Sequence, residues 1–211
     1  MSRLRLNKVG TPSQPAANSV ELYIDTLDKC LKQIDDANVV TTLAFKGAVT
    51  TGPSGAINTA ETIISVPFVI PVNSLKIGST YRIIILGTCT STAANVSTFR
   101  VRYGSLGTIV DAIIATFATS VAATSGTTIP FRAVMEFTFR TIGAAGSLMG
   151  SLTLNNTGIT GISANQSQVV PLVQTTAPNT TTANNVEVTY QSAAVTTTCT
   201  FQNVIIECVQ P

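Results

Sequence analysis

The stretch that decides the fold reads Ile129-Pro-Phe-Arg-Ala-Val-Met-Glu-Phe-Thr-Phe-Arg-Thr141. Apolar and polar side chains alternate along it: the apolar side carries Phe131, Ala133, Met135, Phe137 and Phe139, and the polar side includes Arg132, Glu136 and Arg140. A period of two is typical of a β-strand with one face on a core and the other toward solvent. The stretch therefore predicts a sheet with one buried face.

Further strands are predicted on both sides of this stretch, with Gly, Ser, Thr and Asn between them. The apolar run in Tyr81–Leu86 is nearly continuous, which predicts a strand covered on both faces. With little helical periodicity and no repeat, the pattern predicts an all-β, jelly-roll-like two-sheet antiparallel sandwich over residues 61–211. The predicted strands are Thr62–Ile70, Thr80–Thr90, Ser97–Tyr103, Thr108–Thr119, Ile129–Thr141, Leu148–Asn155, Val186–Gln191 and Thr198–Val209. Gly158–Asn185 is expected to be a loop region with a short strand at Ser167–Val173.

The composition is apolar but poor in charge. Apolar residues make up 45 % of the 211 residues and charged residues only 10 %, against roughly 25 % in ordinary soluble domains. A surface of hydroxyl and amide side chains suits a protein that packs against copies of itself or partners. The net charge of +2 argues against nucleic-acid binding, which needs a basic patch. No apolar run is long enough to span a membrane, and the basic N-terminus lacks the apolar run of a secretory signal, so we expect synthesis in a cytoplasm.

The charge is unevenly spread along the chain. Residues 1–46 hold 11 of the 22 charged side chains, and the remaining 165 residues hold the other 11. This shift predicts an N-terminal unit over residues 1–46, followed by a turn-rich linker over residues 47–60.

The N-terminal unit opens with alternating basic and apolar residues in Ser2–Lys8, which predicts an extended strand with one adhesive face. Such an arm either pairs with a sheet edge or remains a solvated tail. Pro12 and Pro15 stiffen the spacer behind it. A β-hairpin is predicted from Val20–Asp25 and Leu31–Asp36. The competing prediction is a helix through residues 23–34, because Leu27, Leu31 and Ile34 fall at helical spacing.

The sequence shows no catalytic constellation. It contains no His, which excludes nucleophiles activated by imidazole, and we expect neither an enzyme nor a cofactor. Cys30, Cys89, Cys199 and Cys208 lack metal-ligand spacing and are expected to be mostly buried thiols. Glu136 is expected in a solvated cross-strand ion pair, and the other four acids of the β-domain are expected at the surface or an interface: Glu61, Asp111, Glu187 and Glu207. With no Trp, sugar stacking would depend on tyrosines: Tyr23, Tyr81, Tyr103 and Tyr190.

Two strings carry a family resemblance: Gly10-Thr-Pro-Ser-Gln-Pro-Ala-Ala-Asn-Ser-Val-Glu-Leu-Tyr-Ile-Asp25 and Leu31-Lys-Gln-Ile-Asp-Asp-Ala-Asn-Val39. They resemble the N-terminal virion-attachment segment of tailed-phage fibre and head-decoration proteins. Asn38 stands where glycine is usual in that family, and Cys30 in the turn is a second departure. The β-domain resembles the sandwich domains of such proteins in four strings: Tyr81-Arg-Ile-Ile-Ile-Leu-Gly-Thr-Cys-Thr90, Phe99-Arg-Val-Arg-Tyr-Gly104, Ile129-Pro-Phe131 and Cys199-Thr-Phe-Gln-Asn-Val-Ile-Ile-Glu207.

The resemblance implies a capsid decoration or cement protein on the virion exterior that binds the major capsid protein or another virion protein and forms a homotrimer through its β-domain. The alternatives are a tail or head-fibre protein that recognises a host-surface glycan, a free carbohydrate-binding module and a glycosidase that works through paired carboxylates. We expect no metal site. The residues expected to make the capsid attachment are Arg3, Leu4, Arg5, Leu6, Lys8, Leu22, Tyr23, Ile24, Leu31 and Ile34.

Overall fold

The computed structural model describes residues 8–9, 15–17, 19–25, 31–37, 40–44, 48–51, 54–70, 74–93, 95–121, 128–156 and 167–210. The chain divides into two compact units, Met1–Lys46 and Gly47–Pro211. None of the described elements is a helix that could cross a membrane.

The first unit is a small four-stranded sheet in the order β1-β2-β3-β4. The β2–β3 hairpin confirms the hairpin prediction over the helical alternative, with Val20 opposite Asp35 and Ile24 opposite Leu31. Polar residues after each apolar strand allow the chain to reverse, and Asp36 lies in the turn before the last strand. The strands are β1 (Lys8–Val9), β2 (Val20–Asp25), β3 (Leu31–Asp35) and β4 (Val40–Ala44).

The second unit consists of two six-stranded sheets. Its strands are β5 (Ala48–Thr51), β6 (Thr62–Ile63), β7 (Phe68–Ile70), β8 (Thr80–Ser91), β9 (Asn95–Gly104), β10 (Ala112–Val121), β11 (Ile129–Thr141), β12 (Ser147–Asn156), β13 (Ser167–Pro171), β14 (Val173–Gln174), β15 (Asn184–Ser192) and β16 (Thr197–Gln210). Sheet I has the order β13-β12-β11-β8-β16-β5, and sheet II has the order β14-β10-β9-β15-β6, with β7 also paired to β15. The described pairings of both sheets are antiparallel.

The core lies between the two sheets. The predicted alternation is present in β11, whose odd-numbered residues from Ile129 to Phe139 are buried. Aromatic rings join the sheets, with Tyr103 of sheet II 6.2 Å from Phe139 of sheet I and Tyr190 5.0 Å from Phe201 between ring centroids. Buried aromatic side chains contribute a large part of core energetics. The all-β antiparallel sandwich is therefore confirmed, whereas the jelly-roll connectivity is not.

Several local predictions differ from the structure. Residues 47–60, expected to form a linker, supply β5, and Ile57 is bridged to Cys199. The predicted strand 62–70 is split into β6 and β7, because Pro67 cannot donate to a strand ladder. Residues 108–111 form a turn and β10 begins only at Ala112. In β8 the side chains of Ile84 and Leu86 lie on the outer face, so the run expected to be covered on both faces is covered on one.

Candidate interaction sites

The expected attachment residues of the first unit separate into buried and exposed groups. Tyr23 and Ile34 are 1 % and 0 % exposed, so their side chains build the unit. Leu22 is 40 % exposed and is available to a partner, while Ile24 is half-buried opposite Leu31 in the hairpin. Lys8 belongs to β1 and pairs in parallel with Ile24. The remaining candidates, Arg3, Leu4, Arg5 and Leu6, lie outside the described residues, as does Cys30.

The outer face of sheet I carries a row of five aliphatic residues and one threonine that crosses all six strands. We call it the outer row; its members are register partners from one strand to the next: Val169, Thr153, Val134, Ile84, Ile205 and Val49. Val169 and Val49 at its two ends are 65 % and 48 % exposed, and the four central residues are half-buried. At about 4.8 Å between strands, the row is about 24 Å long. Such a mainly aliphatic row, exposed at both ends, is typical of an interaction surface.

Ion pairs border the outer row on one side. Arg82 Nε donates to Glu136 Oε1 at 2.6 Å, and Arg82 Nη1 lies 3.4 Å from Glu207 Oε1. These three residues come from adjacent strands of sheet I, so the expected solvated cross-strand ion pair of Glu136 is present, with Arg82 as its partner. Pairs this exposed contribute little to stability.

The turns at one end of the sandwich expose a second group of aliphatic side chains. Leu106, Ile109 and Val110 in the β9–β10 turn are 63 %, 49 % and 76 % exposed. Ile142 in the β11–β12 turn and Ile77 before β8 are also exposed. This end is therefore a second apolar surface, built from turns instead of strands.

Sheet II carries a buried polar cluster on its outer face. Glu61 Oε1 accepts hydrogen bonds from Arg102 Nε at 2.9 Å, from Arg102 Nη2 at 2.7 Å and from the Thr189 hydroxyl at 2.6 Å. Arg100 Nη1 is 3.2 Å from Glu61 Oε2. Burial by itself raises the pKa of Glu61, but the hydrogen bonds from Thr189 and Arg102 and the positive charges of Arg100 and Arg102 outweigh it and lower that pKa. Glu61 is thus held as a carboxylate.

Asp111 is held by the turn between β9 and β10. Its carboxylate accepts the backbone N–H groups of Leu106, Gly107 and Thr108 at 3.2, 2.6 and 3.3 Å. Gly107 has φ +67°, in the region that favours glycine. The backbone N–H groups of this turn therefore bind a carboxylate of the same chain. Arg102 Nη1 donates to the Asp111 carbonyl oxygen at 2.6 Å, which ties this turn to the cluster.

Glu187 is the unusual member of the cluster. It lies opposite Arg102 in the β9–β15 register and is 0 % exposed, yet neither of its carboxylate oxygens accepts a hydrogen bond from the described residues. Burial, with the nearby charge of Asp111, raises the pKa of Glu187 to about 7, and the charge of Arg102 offsets only part of this effect. Glu187 therefore titrates near neutral pH.

Asp111 and Glu187 were expected as surface or interface charges, and for both that prediction is wrong. Alternation along β15 correctly places Glu187 on the outer face, between inward-facing Val186 and Val188. The β9–β10 turn lies against that face, because a Cβ built on Gly107 would be 3.4 Å from Glu187 and 3.3 Å from Pro67. A covering segment leaves no period-two signal in the strand beneath it, so the sequence offered no cue to this burial.

The tyrosines proposed as substitutes for a stacking Trp are all in the core. Tyr23, Tyr81, Tyr103 and Tyr190 are between 1 % and 4 % exposed. Among the described residues no group of three or more Cys, Asp or Glu side chains could hold a metal ion. Cys89, Cys199 and Cys208 are buried, as predicted.

No protein-family model matches the sequence, and no curated protein matches it. Among solved structures, the chain is similar to the CBM2 module of the evolved Dit protein of Lactobacillus casei BL23 phage J-1. The identity is 12 %, the match covers 76 % of this chain and 89 % of that chain, and the TM-score is 0.33. A likeness of this strength does not bear on function.

Proposed function

We propose that this protein is a non-enzymatic structural component of a tailed-phage virion, a capsid decoration or cement protein. In this proposal the unit of residues 1–46 binds the major capsid protein, and the sandwich associates with further copies of itself on the capsid exterior. The single observation that carries the proposal is the outer row of sheet I, an aliphatic surface about 24 Å long on a chain with few charges. Many weak copies on a lattice bind through avidity.

The non-enzymatic part is supported by the way the carboxylates of the sandwich are held. Glu61 is bonded to Arg102 and Thr189, and Asp111 is bonded to three backbone N–H groups. Glu136 and Glu207 share Arg82. Glu187 has no exposed surface through which a substrate could reach it. A glycosidase needs two carboxyl groups on either side of a bound sugar, and these five do not offer such a pair.

Deletion of residues 1–46 tests the attachment. The truncated chain should remain a folded sandwich, because the second unit is compact by itself, but it should no longer bind capsids. Far-UV circular dichroism checks the fold, and co-sedimentation with empty shells checks the binding. A truncated protein that still occupies shells fully would contradict the role of the first unit.

Self-association is tested by Val134→Glu, which places a charge at the centre of the outer row. We expect a smaller particle by light scattering, because burying an unpaired carboxylate in an interface is costly. Val173→Glu is the matched control, since Val173 is 61 % exposed at the edge of sheet II and outside the outer row. The resemblance implies three copies, and the measured mass of the wild-type protein tests that number. A monomeric wild-type protein at high concentration would exclude self-association.

A tail or vertex protein that binds a host receptor is the second candidate, and the apolar turns with Leu106, Ile109 and Val110 favour it. A glycan receptor fits these turns poorly, because the tyrosines are buried and sugar platforms depend on exposed aromatic rings. Copy number per particle separates the two candidates: hundreds of copies indicate a lattice component, and a handful indicate a tail or vertex position. Receptor binding also predicts that the purified protein binds host cells, and that substitutions in residues 158–185 abolish it.

A further inference from the structure

Two cysteines face each other within sheet I. Cys89 of β8 is the register partner of Cys199 of β16. The Cys199 N–H donates to the Ile57 carbonyl at 2.9 Å, and the Ile57 N–H donates to the Cys199 carbonyl at 2.8 Å. Because both backbone groups of Cys199 point away from β8, Cys89 and Cys199 form a non-hydrogen-bonded pair. In such pairs the opposing Cα atoms are about 4.5 Å apart and the side chains approach most closely.

This geometry lies within the range of a disulfide, whose Cα atoms are about 4.4–6.8 Å apart. Both residues point into the core, where Cys199 Sγ lies 3.0 Å from the Tyr190 hydroxyl oxygen. The same closeness is seen two residues away, where the hydroxyls of Ser91 and Thr197 are 2.5 Å apart. Cys208 lies opposite Tyr81 instead, so it is not in register with another cysteine.

We propose that Cys89 and Cys199 form a cross-strand disulfide by exchange with a small-molecule disulfide such as oxidised glutathione. The Cys89 thiolate attacks one sulfur of the oxidant, forms a mixed disulfide and releases one thiol. Cys199 then gives up its proton and attacks the Cys89 sulfur, and the second thiol leaves with a proton. The two protein thiols are oxidised, and the disulfide of the oxidant is reduced to two thiols.

The order of attack follows from the surroundings of the two sulfurs. The interaction with the Cys199 thiol lowers the pKa of Cys89, whereas the interaction with Cys89, together with burial, raises the pKa of Cys199. Cys89 is also the more exposed residue, at 8 % against 3 %. The pair lies two residues from the end of β8 at Ser91 and from the start of β16 at Thr197. Fraying of these strand ends gives the oxidant access without opening the whole sheet.

In oxidising surroundings the disulfide links β8 covalently to β16. In a reducing cytoplasm Cys89 and Cys199 remain thiols, and the two strands are joined only by hydrogen bonds and packing. This inference does not rest on the proposed function, because it needs only the strand register and the two thiols.

The test is a peptide map after alkylation of the full-length protein, folded and equilibrated in a glutathione redox buffer. We expect one joined pair of peptides that contains Cys89 and Cys199. Its formation should raise the midpoint of thermal unfolding by about 5–15 °C, and dithiothreitol should reverse the shift. Cys89→Ser should lose both the joined peptides and the shift, whereas Cys208→Ser should keep both.

In a second experiment the protein is unfolded in guanidinium chloride and refolded in the same redox buffer, so that the oxidant can reach both thiols before the core forms. Joined Cys89–Cys199 peptides by either route support the proposal. If both cysteines remain alkylated by both routes, or if either is joined to Cys30 or Cys208 instead, the proposal is wrong. The wild-type peptide map decides this even if the Ser variants fail to fold.

Discussion

Replacing Glu187 by Gln should remove a pH dependence from the stability of the sandwich. In the folded protein Glu187 has a pKa of about 7, raised from 4.5. Between about pH 4.5 and 7 the unfolded chain has released this proton while the folded chain still holds it. Stability therefore falls as pH rises through this window, and it levels off above the folded pKa.

The size of this effect follows from the two pKa values. A difference of about 2.5 pH units corresponds to about 3 kcal/mol, with no reduction for solvent screening because Glu187 is 0 % exposed. At about 2–4 °C per kcal/mol for a chain of this size, the wild-type melting temperature should fall by about 6–12 °C between pH 4.5 and pH 8. Glu187→Gln is neutral throughout, so it should be close to the wild type near pH 4.5 and more stable at pH 8.

Thermal melts across pH 4.5–8, followed by circular dichroism, measure both proteins. Glu136→Gln is the matched control, because its carboxylate is exposed and paired with Arg82, and it should retain the wild-type slope. Glu61 has a lowered pKa, so its stabilising effect is lost only as pH falls through a more acidic range. The pH dependence from Glu61 therefore does not overlap with that from Glu187. A wild-type melting temperature that is flat or rising from pH 4.5 to 8, or an E187Q variant with the wild-type slope, would refute the reasoning.

Two further substitutions test the packing. Gly104→Ala should destabilise the sandwich by about 1–3 kcal/mol in urea titrations, because its Cβ would lie 2.2 Å from Asp111 Oδ1. The control Gly55→Ala should have little effect in the same assay, because its Cβ would meet no atom within 4 Å. Phe139→Ala should reduce the free energy of unfolding by about 3–5 kcal/mol, since Phe139 is fully buried against Tyr81, Tyr103 and Phe137. The control Met149→Ala should change the unfolding midpoint little, because Met149 is 59 % exposed. Equal losses for the two variants would contradict the described core.

The strands of the sandwich could be predicted because their signal is local. The alternation in β11 indicates which of its side chains are buried, and the turn residues indicate where strands end. The β2–β3 hairpin is predicted from the polar residues between its two strands. What depends on distant parts of the chain could not be predicted. Glu187 lies against the β9–β10 turn at Gly107, and the outer row becomes visible only when the register aligns Ile84 with Val134 and Ile205. The period-two pattern of a strand predicts neither its register with neighbouring strands nor which other part of the chain covers its outer face.

The position of β16 has a consequence for how the protein folds during synthesis. β16 lies inside sheet I, between β8 and β5, although every other strand of the sandwich precedes it in the chain. Its pairing closes a loop from Cys89 to Cys199, and loop closure over such distances slows folding. Sheet I stays divided until β16 has left the ribosome, so its edges are exposed to other nascent chains. We therefore expect slow completion of sheet I.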